Sequence, residues 1–295
     1  METFLRSDGV RLRYLDAGAG PAVLLMPGAA GTHDVYDGQV DALRDAGYRL
    51  IRLDREGRGR SDWGRFQFTG VGEARDAWSI LDTLGVDLAV LVGRSSGSGV
   101  IRQMYLNRPE RVIALVSIDS DSFGKFRHED FHPRVAPASD DLLDAGLDPR
   151  FDPETVEAYH RNKARLATID VLWEYPSDYN TKARLDWFAQ LKVLTAELDS
   201  RPENPAEADI AEPQAGVKHW CEVPLLVFAA GRGRIGQGDP EAHELQSRLP
   251  AKDAVLITVK NSGHWINAEA PEQFNRELIA FLRRVVPADG SSIAS

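Results

Sequence analysis

The sequence predicts a doubly wound α/β fold, a mostly parallel sheet with helices on both faces and a helical cap inserted near the middle. Three observations predict it. Apolar runs of strand length alternate with amphipathic segments in units of about 30 residues. The rhythm breaks between 122 and 222, and it then resumes toward the C-terminus.

"VRLRYLD" alternates and follows the turn "SDG", so it reads as an early strand. "AVLLMPG" is continuously apolar and ends in Pro-Gly, as a strand covered on both faces should. "VYDGQVDALRDAG" has helical spacing and a glycine stop, and "YRLIRLD" is the next strand. "GVGEARDAWSILDTLG" reads as helix, "DLAVLVG" as strand, "SGVIRQMYLN" as helix until Pro109, and "RVIALVSID" as strand. Residues 122–222 are charged and rich in Asp, Pro and aromatics, with helical patches but no good strand. A plain loop of that length is implausible, so the segment is expected to be the cap. "VPLLVFAAG", a helix near "PEAHELQSRL", "DAVLITV" and "PEQFNRELIAFLRRVV" complete the alternation. The expected division is a core of 1–121 and 223–286, a cap of 122–222 and a frayed tail of 287–295.

The 295 residues are 43% hydrophobic, enough to bury a core without cross-links. A net charge of −10 argues against binding nucleic acid or an anionic membrane through bulk electrostatics. The single cysteine, Cys221, excludes an internal disulfide and suits a reducing compartment, and no run approaches membrane-spanning length. The expectation is a cytoplasmic protein without metal or cofactor, compatible with pairing as a homodimer.

"GRSSG" (93–97) fits G-x-S-x-G, with a strand before it and a helix after. A serine in that corner adopts a strained backbone, so its neighbours must be nearly free of side chain. The opening helix adds free N–H groups that favour developing negative charge. His264, in "NSGHWINAEA", follows a strand and precedes a helix near the C-terminus, where a base would follow the serine in chain order. In "LLMPGAAG", the strand running into Pro27-Gly28 can turn so that the N–H of Ala29 faces the site, where with the N–H of Ser96 it would make a two-donor oxyanion hole; a simple turn is the alternative.

These residues, with "LDREGRGRSD" (53–62) and "SGHW" (262–265), give the chain a resemblance to the α/β-hydrolase fold superfamily of serine-hydrolase type. Many members carry His-Gly where this chain has Pro27-Gly28, a change that leaves a backbone oxyanion hole possible. The resemblance implies an acid to hold the histidine's tautomer. The usual place, after the strand that follows the cap, reads "FAAGRGRIGQGDP", whose first carboxylate is Asp239. The alternative is the end of the preceding strand, where Asp119 and then Asp121 stand on the rim from which Ser95 emerges. Asp119 is preferred. That placement, the Pro27-Gly28 turn and the "SSG" elbow together resemble zearalenone-type lactone hydrolases, and the acid position and the turn are shared with cofactor-independent dioxygenases of the fold.

The expected catalytic set is therefore Ser95, His264 and Asp119, with Ala29 and Ser96 as oxyanion donors. Gly28, Trp187, Trp265, His33 and Tyr36 are candidate substrate contacts, and Trp173, Tyr175, Tyr179 and Phe188 are further cap aromatics. The expected partner is a small hydrophobic ester or lactone. The alternatives are a cofactor-independent dioxygenase, in which His264 and Asp119 deprotonate a ring hydroxyl, and a non-catalytic ligand-binding protein. "GRGRIG" (231–236) mimics a dinucleotide fingerprint, but the expected helix does not begin inside it.

Overall fold

The computed structural model describes residues 1–28, 31–62, 70–123, 220–231 and 249–287. Eight strands form one sheet in the order β1-β2-β4-β3-β5-β6-β7-β8. The first two, β1 (Glu2–Leu5) and β2 (Arg11–Ala17), form an antiparallel hairpin closed by the Ser-Asp-Gly turn, and β2 runs antiparallel to β4 (Arg49–Asp54). The other strands pair in parallel: β3 (Ala22–Met26), β5 (Ala89–Arg94), β6 (Val112–Ile118), β7 (Leu225–Ala230) and β8 (Ala254–Val259).

The apolar runs explain the layering. Every residue of β3, β5 and β7 is buried, because both faces of the sheet are covered. Side chains alternate across the sheet. Val23, Leu25, Val90, Val92, Val116 and Phe228 therefore join one core, and Leu24, Met26, Leu91, Leu115 and Val227 the other. The first core packs on α1 (Asp37–Asp45) and α5 (Pro271–Val285), which contributes Phe274, Leu278 and Leu282. The second packs on α2 (Gly70–Thr83), through Trp78 and Leu81, and on α3 (Ser96–Asn107), through Ile101 and Met104.

Two boundaries differ from the sequence pattern. The helix expected from Val35 begins as a 3-10 turn, His33–Tyr36, and only then becomes α1. The helix after Ser95 ends at Asn107, since Pro109 disfavours helical backbone at Arg108, which takes φ −140 and ψ 67 before a separate 3-10 turn, Pro109–Arg111. Most of the expected cap (residues 124–219), the helix near Glu241 and the end of the expected tail (288–295) lie outside the described residues. Among the described residues no helix is long and apolar enough to cross a membrane. Cys221 is buried, which pushes its thiol up to about 12, so it is not a ready thiolate.

One buried acid sets a pH dependence of stability. Asp76, on α2, shares the single guanidinium of Arg6 with Asp8 and Glu56. Burial, helped by Glu56 and Glu73, pushes its carboxyl up to about 6 against the pull of Arg6. A carboxyl raised in the folded state holds its proton longer there than in the unfolded chain. Its favourable contribution is complete below about pH 4 and lost as pH rises to about 6. Between pH 4 and 7 the native chain is therefore expected to lose roughly 2 kcal/mol relative to Asp76→Asn, read from urea denaturation of both. Parallel stability curves for the two proteins would disprove this.

Candidate active site

The C-terminal ends of β3, β5, β6 and β8 converge on one rim of the sheet, and the site is assembled from the residues that leave them. Ser95 follows β5 with φ 52 and ψ −126, the strained corner that a strand-to-helix elbow demands. Its N–H donates to Ile118 O at 2.9 Å, and its carbonyl accepts from Ser98 N at 2.9 Å. Ser98 Oγ in turn donates to Gly93 O at 2.7 Å. The corner is thus tied on both sides.

Its sharpness depends on missing side chains. A Cβ at Gly97 would come within 2.5 Å of Met26 O and 2.6 Å of Pro27 O, and one at Gly93 within 2.5 Å of Gly97 O. Backbone oxygens at such distances have nowhere to yield. Gly97→Ala is expected to cost roughly 1–3 kcal/mol in chemical denaturation and to open the turn after β3. A loss within 0.5 kcal/mol of zero would mean the elbow has spare room.

Asp119, the residue after β6, is also in the left-handed region, at φ 44, and is fully buried. Its N–H donates to Phe228 O at 2.8 Å, which locks it to β7. Its two carboxylate oxygens are divided. Oδ1 accepts from Ala230 N at 3.3 Å, and Oδ2 lies 2.6 Å from His264 Nδ1. His264 is itself 5% exposed and sits on the turn after β8, just before the short helix α4 (Ile266–Glu269). A buried carboxylate on Nδ1 favours the tautomer that leaves Nε2 as the acceptor.

The turn after β3 packs directly on the elbow. A Cβ at Gly28 would lie 3.1 Å from Ser95 Cβ and 2.8 Å from Arg94 Nη2. Arg55, from the loop after β4, braces this junction. Its Nη1 donates to Ser96 Oγ at 2.8 Å and to Pro27 O at 3.3 Å, while its other nitrogens grip the buried Glu73. Ser96 is exposed at the start of α3, where its N–H belongs to the first turn of the helix.

The remaining candidates separate clearly. His33 Nδ1 lies 2.8 Å from Asp54 Oδ1, and its backbone N–H donates to the same oxygen, so Asp54 fixes the His33 ring. Tyr36 corrects the expectation of a substrate contact: it is fully buried and its hydroxyl donates to Met26 O at 2.9 Å. It props the end of β3 from within the core. Trp265 is buried, with its ring 3.6 Å from the Arg94 guanidinium carbon. Ala29, Trp187, Asp239 and the Asp121 side chain lie outside the described residues. Sequence reasoning passed over Arg55, Glu73, Arg94 and Glu269. Arg55, Arg94 and Glu269 stand inside the motifs around the site, yet only tertiary contacts distinguish them from surface charges.

Residues 21–271 match the family model described as alpha/beta hydrolase fold. The chain is 39% identical, over 92% of its length and 91% of the relative's, to the 2-hydroxy-6-oxononadienedioate/2-hydroxy-6-oxononatrienedioate hydrolase of Paraburkholderia phymatum. It is 34% identical, over 95% of its length and 93% of the relative's, to an epoxide hydrolase of Caballeronia sordidicola. Among solved structures it resembles the esterase EaEST from Exiguobacterium antarcticum, with a TM-score of 0.66 at 18% identity, covering 95% of this chain and 98% of the other.

Proposed function

The chain belongs to the alpha/beta hydrolase fold family, and from that premise we propose that it is a serine hydrolase that cleaves a carbonyl substrate through an acyl-enzyme. The observation that carries this reading is the 2.6 Å contact between His264 Nδ1 and the buried Asp119, on the same rim as the strained Ser95 elbow. In this mechanism His264 Nε2 takes the proton of Ser95 Oγ as that oxygen bonds to the carbonyl carbon. The oxyanion is held by the N–H of Ser96 and, on the expectation from "MPGAAG", that of Ala29. His264 then protonates the leaving group and, in the second half, activates the water that releases the acid and regenerates Ser95.

The substrate class we favour is a bulky hydrophobic ester or lactone: the lactone follows from the resemblance carried by Asp119, the Pro27-Gly28 turn and the "SSG" elbow, and the bulk from the aromatics of residues 173–188. A second reading has its own support in the relative from Paraburkholderia phymatum. A 2-hydroxy-6-oxo dienedioate has no ester, so hydrolysing it means acylating Ser95 at the ketone carbon and protonating a carbon leaving group. Both readings use the same three side chains. The epoxide hydrolase relative is a weaker guide to chemistry, because the elbow here carries a serine and an attacking carboxylate is the feature of that class.

Intact-protein mass after exposure to a fluorophosphonate tests the shared mechanism. A single adduct located on Ser95 is expected. A panel of p-nitrophenyl esters, a resorcylic macrolactone and a 2-hydroxy-6-oxo dienoate then separates the substrate classes by kcat/KM. No adduct, together with oxygen uptake on a hydroxylated ring substrate, would replace this proposal by the dioxygenase reading.

A further inference from the structure

His264 is held from its backbone as well as from its ring. Glu269, at the end of α4, reaches back so that its Oε2 accepts from Gly263 N at 2.7 Å and its Oε1 from Trp265 N at 3.4 Å. The two amides are those on either side of His264, so one carboxylate brackets the histidine. Arg94 lies over the Trp265 ring at 3.6 Å. Arg94 is the residue before Ser95 and is 1% exposed. Its Nη2 also lies against Gly28 and Gly31 of the turn after β3.

From this we infer that Glu269 is a positioning residue for His264, and that Arg94 completes a brace joining the base loop, the serine elbow and the turn after β3. The inference rests on the serine-hydrolase reading for its catalytic consequence. The physical need is clear. A base must meet the serine proton within hydrogen-bond reach, and a displacement of about 1 Å costs up to about 100-fold in rate. The His264–Asp119 contact fixes the ring about one bond only; the flanking backbone sets where the ring starts from. Burial raises the Glu269 carboxyl above its ordinary range, the two amides and Arg94 pull it back, and Asp119 pushes it up. The bracket thus sits in the same electrostatic field as the reacting groups.

Glu269→Gln tests this with nearly unchanged shape. A carboxylate offers an acceptor to each amide; a carboxamide offers one acceptor and presents its NH2 to the other amide. One measurement is p-nitrophenyl butyrate turnover per active site titrated with fluorophosphonate. The other is the downfield proton resonance of His264 Nδ1, assigned by its loss in His264→Gln. The expected result is a fall in kcat of about 10- to 100-fold with KM unchanged, and a shifted or broadened resonance. Arg94→Met is expected to move both in the same direction. Unchanged kcat per titrated site with an unchanged resonance would overturn the inference, whatever happens to the melting temperature. If the native protein neither labels nor turns over ester, the hydrolase reading falls separately. The resonance then still decides the brace, a change supporting it and constancy refuting it. Should Glu269→Gln fail to fold, Glu269→Asp keeps both acceptors one methylene shorter and is read the same way.

Discussion

Ser95→Ala is expected to abolish the fluorophosphonate adduct and to lower ester turnover by roughly 10⁶-fold. The size of the effect follows from the proposed chemistry: without Oγ there is no acyl-enzyme, and only the oxyanion donors and substrate binding remain. The variant is well suited to the question because it leaves the elbow intact. Ser95 holds its corner with its backbone, through Ile118 O and Ser98 N, and alanine meets the same backbone strain at φ 52 as serine does. A melting temperature close to the native value should accompany the loss. Turnover retained within tenfold would instead make Ser95 a bystander, and oxygen consumption in that variant would identify the deprotonation chemistry of the dioxygenase reading.

Asp119→Asn is expected to cost about 10⁴-fold in kcat with the fold intact. Asparagine tolerates positive φ better than most residues, so the φ of 44 is no obstacle. The surrounding hydrogen bonds fix which way the amide turns. Ala230 N donates to Oδ1, so the asparagine carbonyl stays there and its NH2 faces His264 Nδ1. That donor selects the tautomer with the proton on Nε2, the nitrogen that should accept the proton of Ser95. The histidine remains and its basic lone pair points the wrong way. The comparison to make is Asp239→Asn under the same assay. A large loss there with little loss at Asp119 would return the acid to the position after β7.

The legibility of this protein in its sequence divides along physical lines. Strand and helix were readable where one periodicity dominates: "AVLLM" and "LLVFAA" are buried on both faces, and "PEQFNRELIAFLRRV" keeps one apolar stripe. The hairpin strand β1 was less legible, since "ETFL" is short and mostly exposed. The elbow glycines were legible because they stand in a short motif around Ser95, although what Gly97 makes room for, Met26 O and Pro27 O, comes from the end of the neighbouring strand. Tyr36 was misplaced for the converse reason. Its position eight residues beyond Gly28 says nothing about direction, and the hydrogen bond to Met26 O sent it inward.

The sequence by itself determined the doubly wound fold, the strained serine and the order of serine before histidine, because each depends on short-range pattern and chain order. Only the tertiary structure decided that Asp119 reaches His264, that Asp54 fixes His33, that Arg55 ties Ser96 to Pro27 and that Glu269 brackets the base. Those contacts join residues that the chain separates and the sheet brings together at the ends of its strands. Their partners are polar side chains whose sequence neighbourhoods look like ordinary loops. Burial gives each of them its meaning, and burial is a property of the assembled fold.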